Sequence, residues 1–108
     1  MCRKIIFYEN YFIDFYKGLN ERVKLKIQYV LELIKQVNKV PSKFLAPIRN
    51  SNGLYEIRIE YQSNIYRIFC CFDEDKIVVL LNGFQKKTLR IEIERAIRIK
   101  SEYFQTKI

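Results

Sequence analysis

Residues 54–72 read Leu-Tyr-Glu-Ile-Arg-Ile-Glu-Tyr-Gln-Ser-Asn-Ile-Tyr-Arg-Ile-Phe-Cys-Cys-Phe. From Tyr55 the pattern alternates strictly, with Tyr55, Ile57, Ile59 and Tyr61 on one side and Glu56, Arg58 and Glu60 on the other. A period of two is the signature of a strand with one face buried. Gln62-Ser63-Asn64 supplies turn chemistry, and residues 65–72 resume the strand pattern. If Ser63-Asn64 forms a two-residue turn, residue 60 lies opposite 67 and 58 opposite 69. Tyr66, Ile68, Cys70 and Phe72 then share the apolar face, and Arg67 and Phe69 join the charged one. A slip of one residue would drive Arg67 into the core, so the register is strongly specified.

Working outward, Asp73-Glu74-Asp75 predicts the next turn. Residues 76–82, with the run Ile77-Val78-Val79-Leu80-Leu81, predict an apolar central strand ended by Gly83. Upstream, residues 39–53 hold both prolines, Pro41 and Pro47, and end in Asn50-Ser51-Asn52-Gly53, so a loop is expected there. Before it, Val23, Ile27, Val30, Leu31, Ile34 and Val37 make an apolar stripe at helical spacing over residues 21–38. Phe12, Phe15, Tyr16 and Leu19 predict a shorter helix before a break at Gly18 and Asn20. Ile5-Ile6-Phe7-Tyr8 reads as a first strand. The chain from about residue 89 reads as a helix with Ile93, Ala96, Ile97 and Phe104 inward. Two helices joined this tightly are expected to pack as a hairpin against the sheet.

The 108 residues fit a single domain spanning 1–108, large enough to bury a core without disulfides. No apolar run approaches the ~20 residues of a membrane span, and the start of the chain has no secretory-leader pattern. No membrane association and a cytoplasmic location are the expectation. Cys2, Cys70 and Cys71 fit no metal spacing, and the adjacent pair would point to opposite faces of a strand. The net charge of +8, from 20 Lys and Arg against 12 Asp and Glu, favours a polyanionic partner, nucleic acid or an acidic protein. There is no histidine. Ser-His-Asp and Cys-His catalysis and paired-histidine acid–base chemistry are therefore excluded. Lys, Arg, Glu, Asp, Tyr and Cys remain.

The charged face of the hairpin, with Glu56, Arg58, Glu60, Arg67 and Phe69, can be read in two ways. One is a solvated face with cross-strand Glu–Arg pairs. The other is an RNA groove, in which arginine grips phosphate in a fixed fork and an aromatic ring stacks on a base. Asn82-Gly83-Phe84-Gln85-Lys86-Lys87-Thr88 adds a basic pair beside an aromatic ring, as either a phosphate-contacting loop or a plain connection.

Three motifs in order, Gly53-Leu54-Tyr55-Glu56-Ile57-Arg58, Tyr66-Arg67-Ile68-Phe69 and Leu80-Leu81-Asn82-Gly83-Phe84-Gln85-Lys86-Lys87-Thr88, resemble the phage-derived HigB-like branch of the RelE/ParE toxin superfamily. With the first strand and the helical pair, the resemblance covers nearly the whole chain. It implies an α+β fold: a compact antiparallel sheet of about four strands, an N-terminal helical hairpin on one face, and a C-terminal helix. It implies an endoribonuclease that cuts mRNA on the ribosome, needs no metal or other cofactor, and is held inactive by a helix-turn-helix antitoxin. Arg58, Arg67, Lys86 and Lys87 match the basic residues of the family motifs. On this resemblance Arg67 would meet the transition-state charge and Arg58 would position the phosphate. Lys86 or Lys87 would steady or protonate the leaving oxygen, and Glu56 would be the base, with Tyr61 or a lysine as alternatives. Tyr61, Phe69, Phe84 and Arg90 complete the set as RNA contacts. Asn82 stands where many members carry histidine, so a histidine acid is unavailable there. The Pro-containing segment often seen after the lysine pair is missing, which would leave Tyr103 displaced from the site. Two other functions share the fold: a ParE-like toxin that binds DNA gyrase, and an inactive RNA-binding module.

Overall fold

The apolar run Ile77–Leu81 becomes the spine of the fold because it is buried on both faces. In the computed structural model, which describes residues 2–85 and 90–107, Val78 and Leu80 enter one core and Val79 and Leu81 another. The chain runs β1 (Lys4–Phe7), α1 (Tyr11–Lys17), α2 (Glu21–Gln36), β2 (Leu45–Pro47), β3 (Tyr55–Tyr61), β4 (Asn64–Asp73), β5 (Ile77–Gln85) and α3 (Arg90–Thr106). The strands form one sheet in the order β1-β5-β4-β3-β2.

This sheet is mixed and has five strands, not an antiparallel sheet of about four. β1 lies parallel to β5, and the other pairs are antiparallel. The added strand is β2, inside the stretch expected to be loop. It pairs with β3 through Leu45, Ala46 and Pro47. A proline is tolerated there because β2 is an edge strand.

α1 and α2 occupy one face, with α1 over β5 and α2 over β3 and β1. Val23, Ile27, Val30 and Ile34 are the buried stripe of α2, packed with Phe12 against Ile57, Ile59, Ile68 and Cys70. Asn20 caps α2: its side-chain oxygen accepts from the Val23 amide at 2.9 Å, satisfying one of the amides a helix start leaves open. At the other end the Arg3 guanidinium donates to the carbonyls of Ile34, Val37 and Asn38 at 2.6–2.8 Å, tying β1 to the negative end of the helix.

α3 covers part of the opposite face. Ala96 and Ile99 pack on Leu54, Phe69, Cys71, Val79 and Leu81. The sheet is thus a layer between helices, and the adjacent cysteines Cys70 and Cys71 fall into different cores, as alternation requires. Among the described residues no helix is long and apolar enough to cross a membrane.

β5 continues through Gly83 to Gln85 rather than ending at the glycine. Ile68 pairs with Gly83 but Cys70 with Leu80, so Leu81 and Asn82 together stand opposite Phe69. This bulge turns Leu81 into the α3 core and Asn82 toward Glu92 of α3, then restores alternation. Gly83 follows because the Phe15 ring lies against it. A Cβ there would sit 2.7 and 2.8 Å from Cε2 and Cγ of that ring.

The far end of α3 is latched by Asp73, expected as a turn residue but buried at the end of β4. Its Oδ2 accepts from the Tyr103 hydroxyl and from Lys107 Nζ, each at 2.6 Å. The Lys107 bond, then the Tyr103 bond, hold the Asp73 carboxyl below its ordinary value of 3.8. Burial, then the bond to Asp73, push the Tyr103 hydroxyl up to about 12.

Two outcomes follow from this packing. Gly83→Ala should cost about 1–3 kcal/mol, as overpacking does; urea denaturation should show a smaller loss when Phe15→Leu opens space, and an equal loss in both backgrounds would remove the ring as the cause. The Asp73 latch stabilises above the unfolded carboxylate range and is lost as pH falls through the depressed folded value; Tyr103, raised, favours folding below 10.0 and loses its contribution as pH rises past that. Amide exchange in the last turns of α3 should therefore accelerate below about pH 4, and Asp73→Asn should remove that acid step.

Candidate nucleic-acid interface

The β3–β4 hairpin sets the geometry of the charged face. Its turn comes one residue earlier than the sequence suggests: Tyr61 pairs with Asn64, and Gln62 takes the left-handed conformation with φ 56°. The pairing therefore differs from expectation. Arg58 lies directly opposite Arg67, and Glu56 opposite Phe69. Parity is unchanged, so every side chain keeps its predicted face.

Like charges opposite each other on a sheet repel, and each arginine has a β3 carboxylate beside it, Glu56 diagonally across the hairpin from Arg67 and Glu60 two residues along the strand from Arg58. Arg67 Nε lies 3.3 Å from Glu56 Oε1, and Arg58 Nε lies 3.8 Å from Glu60 Oε1. The two pairs differ in depth. The Arg67 and Glu56 side chains are only 12% and 19% exposed, whereas Arg58 and Glu60 are 40% and 66% exposed. A sheltered guanidinium exerts a stronger field than one in water. The face thus offers a fixed inner cation beside an outer, accessible one.

Phe84 borders the inner pair. It stands opposite Arg67 on β5 and packs edge-on against Phe69, with ring centroids 5.0 Å apart. Phe84 is partly exposed. Phe69 is fully buried beneath α3, so its ring is not presented to a base, contrary to the expectation for this residue. Tyr61 is corrected as well. It lies with Ile57 and Ile59 on the face covered by α1 and α2, opposite to the arginines, and is not placed to act as a base beside Arg67. Nor is that arginine-bearing face wholly open, because α3 covers its Phe69 end.

Arg90 opens α3, is strongly exposed, and pairs with Glu94 at 3.2 Å. It lines a crevice with Arg49, Asn50 and Ile93. Lys86 and Lys87 lie outside the described residues; β5 ends at Gln85 and α3 begins at Arg90. Asn82, at the position linked to histidine by resemblance, has a structural task. Its Nδ2 donates to the Glu92 carboxylate at 3.2 Å and to the Glu92 carbonyl at 3.4 Å, tethering the first turn of α3 to the bulge. Tyr103 meets Asp73, six residues along β4 from Arg67. The sequence reading missed that latch, although the acidic residue at the strand end was visible. Among the described residues no three His, Cys, Asp or Glu side chains cluster to hold a metal ion.

Comparison with known proteins adds the family. The chain matches the family described as phage-derived protein Gp49-like (DUF891) over residues 14–103, which takes in the second half of α1, all of α2, the arginine hairpin, β5 and most of α3. No curated protein matches the chain. A match of that extent settles membership: the chain belongs to the phage-derived Gp49-like family, a toxin–antitoxin-associated family related to the RelE/ParE-type toxins.

Proposed function

We propose that this chain is the toxin of a toxin–antitoxin pair, of the HigB-like kind, and that it cleaves mRNA as an endoribonuclease associated with the ribosome. The observation that carries the reading is the pair Arg58 and Arg67, directly opposed on one sheet face, one sheltered and one accessible. Family membership supports the toxin and a cognate antitoxin partner, for which a helix-turn-helix protein is the expected form.

The chemistry is attack of a ribose 2′-OH on the adjacent phosphorus, without a metal. The O2′–P bond forms and the P–O5′ bond breaks, leaving a 2′,3′-cyclic phosphate and a 5′-hydroxyl. Arg58, accessible, captures the phosphate in its planar fork. Arg67, sheltered, meets the negative charge that develops on the phosphorane. As the phosphate takes the place of Glu56 at Arg67, the released carboxylate accepts the 2′-OH proton. Lys86 or Lys87, two and three residues beyond Phe84 in sequence, gives a proton to O5′. Phe84 and Arg90 flank the strand.

Inducing the chain in bacteria without its antitoxin, and mapping RNA 5′ ends across the transcriptome, tests this reading. New cuts inside translated frames are expected. Arg67→Ala, verified as folded by its thermal transition, should reduce them by about 10²–10³-fold, the usual cost of losing a transition-state donor. Growth arrest with intact mRNA would contradict the nuclease and direct attention to gyrase supercoiling; soluble protein without arrest would favour an inactive binding module.

A further inference from the structure

β2 stops alongside Ile57, so the edge of β3 beyond it has no neighbouring strand. There the Arg58 amide donates to the Phe44 carbonyl at 3.0 Å. α2 passes over this edge, and the gap is a notch of about 290 Å³ lined by Lys26, Lys43, Phe44, Arg58 and Glu60.

The notch is cationic and underfilled. Three cations face one carboxylate, and among the described residues Glu60 pairs with Arg58 alone, at 3.8 Å. Neither Lys26 nor Lys43 forms an ion pair among the described residues. Arg58 Nε is shielded from solvent yet has no hydrogen-bond acceptor among the described residues. A buried donor without an acceptor is costly, so such a group marks a place for an oxyanion. Lys43 Nζ stands 5.0 Å from the centre of the Phe44 ring, whose partly exposed surface gives the notch one apolar wall beside its charges.

We propose that this notch is a second phosphate position for the RNA strand, with Lys26, Lys43 and Arg58 binding one backbone phosphate and Phe44 lying against the neighbouring sugar or base. The assignment rests on the RNA reading above and extends it. Arg58 belongs to both places: its strand partner Arg67 is at the reacting phosphate, and its own Nε borders the notch. RNA therefore runs from the inner arginine, across Arg58, around the free edge of β3 and under α2. An acidic protein segment also suits three cations. Continuity with the Arg58–Arg67 pair and the aromatic wall favour a nucleic-acid strand.

The test is fluorescence anisotropy of a fully 2′-O-methylated single-stranded RNA oligonucleotide, which cannot be cleaved by 2′-OH attack. Binding is measured against salt for the full chain, for Lys26→Ala/Lys43→Ala, and for Lys4→Ala on the opposite edge strand. The double variant should bind about tenfold more weakly at low salt, and the slope of log affinity against log salt should fall by about 0.7, the value for one lost phosphate contact on a single strand. Lys4→Ala should change neither by more than a small fraction of that. Equal losses in both variants, or an unchanged slope in the double variant, would overturn the notch as an RNA site while leaving cleavage untouched. Loss of antitoxin binding with RNA affinity intact would overturn it too, in favour of the acidic protein. A slope reduced as expected in a chain that fails to cut RNA would uphold the notch and defeat the nuclease.

Discussion

The docking of α3 on the sheet decides what the rest of the molecule can do. Ala96 and Ile99 seat on Phe69, Cys71, Val79 and Leu81, and this contact turns one half of a sheet face into core. The other half continues into Glu56, Arg58, Glu60 and Arg67. A β-sheet with a helix on each side would ordinarily be inert on both faces. Here the footprint of one helix ends partway, and a charged surface begins at its border, where Phe84 bridges buried Phe69 and sheltered Arg67. The position of α3 is in turn fixed at its two ends by polar contacts, Asn82 to Glu92 at the bulge and Asp73 to Tyr103 and Lys107 at the end of β4.

Much of this was legible in the alternation of residues 55–61 and 66–72. Period two assigns a side chain to a face whatever the pairing, so Arg58, Arg67 and Glu56 came together as expected even though the turn begins at Gln62 instead of Ser63. Within the turn segment 62–64 nothing singles out Gln62 as its start, since its left-handed backbone is one that glycine or asparagine would ordinarily announce. The buried stripe of α2 was equally plain, because Val23, Ile27, Val30 and Ile34 repeat at helical spacing.

What escaped the sequence depends on contacts between distant segments. Alternation puts Phe69 and Arg67 on one face but says nothing about where a helix from residues 90–106 will land. From sequence Phe69 therefore reads as an exposed ring, and in the structure it is core. The parity of Tyr61 places it with the helices on the other side, away from the arginines. The parallel pairing of β1 with β5 joins residues more than seventy apart and leaves no local mark. Three-residue β2, with a proline, resembles a loop until it finds the edge of β3. Asn82 drew notice through resemblance to a histidine position, yet the bulge that aims it at Glu92 is visible only in the register.

The graded exposure of the two arginines gives the face a chemical polarity that composition could not suggest. A net charge of +8 permits RNA, an acidic protein, or neither. A sheltered guanidinium paired to a carboxylate, next to an accessible one, is the arrangement that phosphate chemistry uses. The most direct test of this account is NMR of the arginine Nε–Hε groups during titration with an uncleavable RNA oligonucleotide. The account predicts that the Arg67 and Arg58 signals move together and saturate at one RNA equivalent, while residues of the β1 edge stay still. Perturbations confined to other surfaces, with both arginine signals unmoved at saturation, would contradict it.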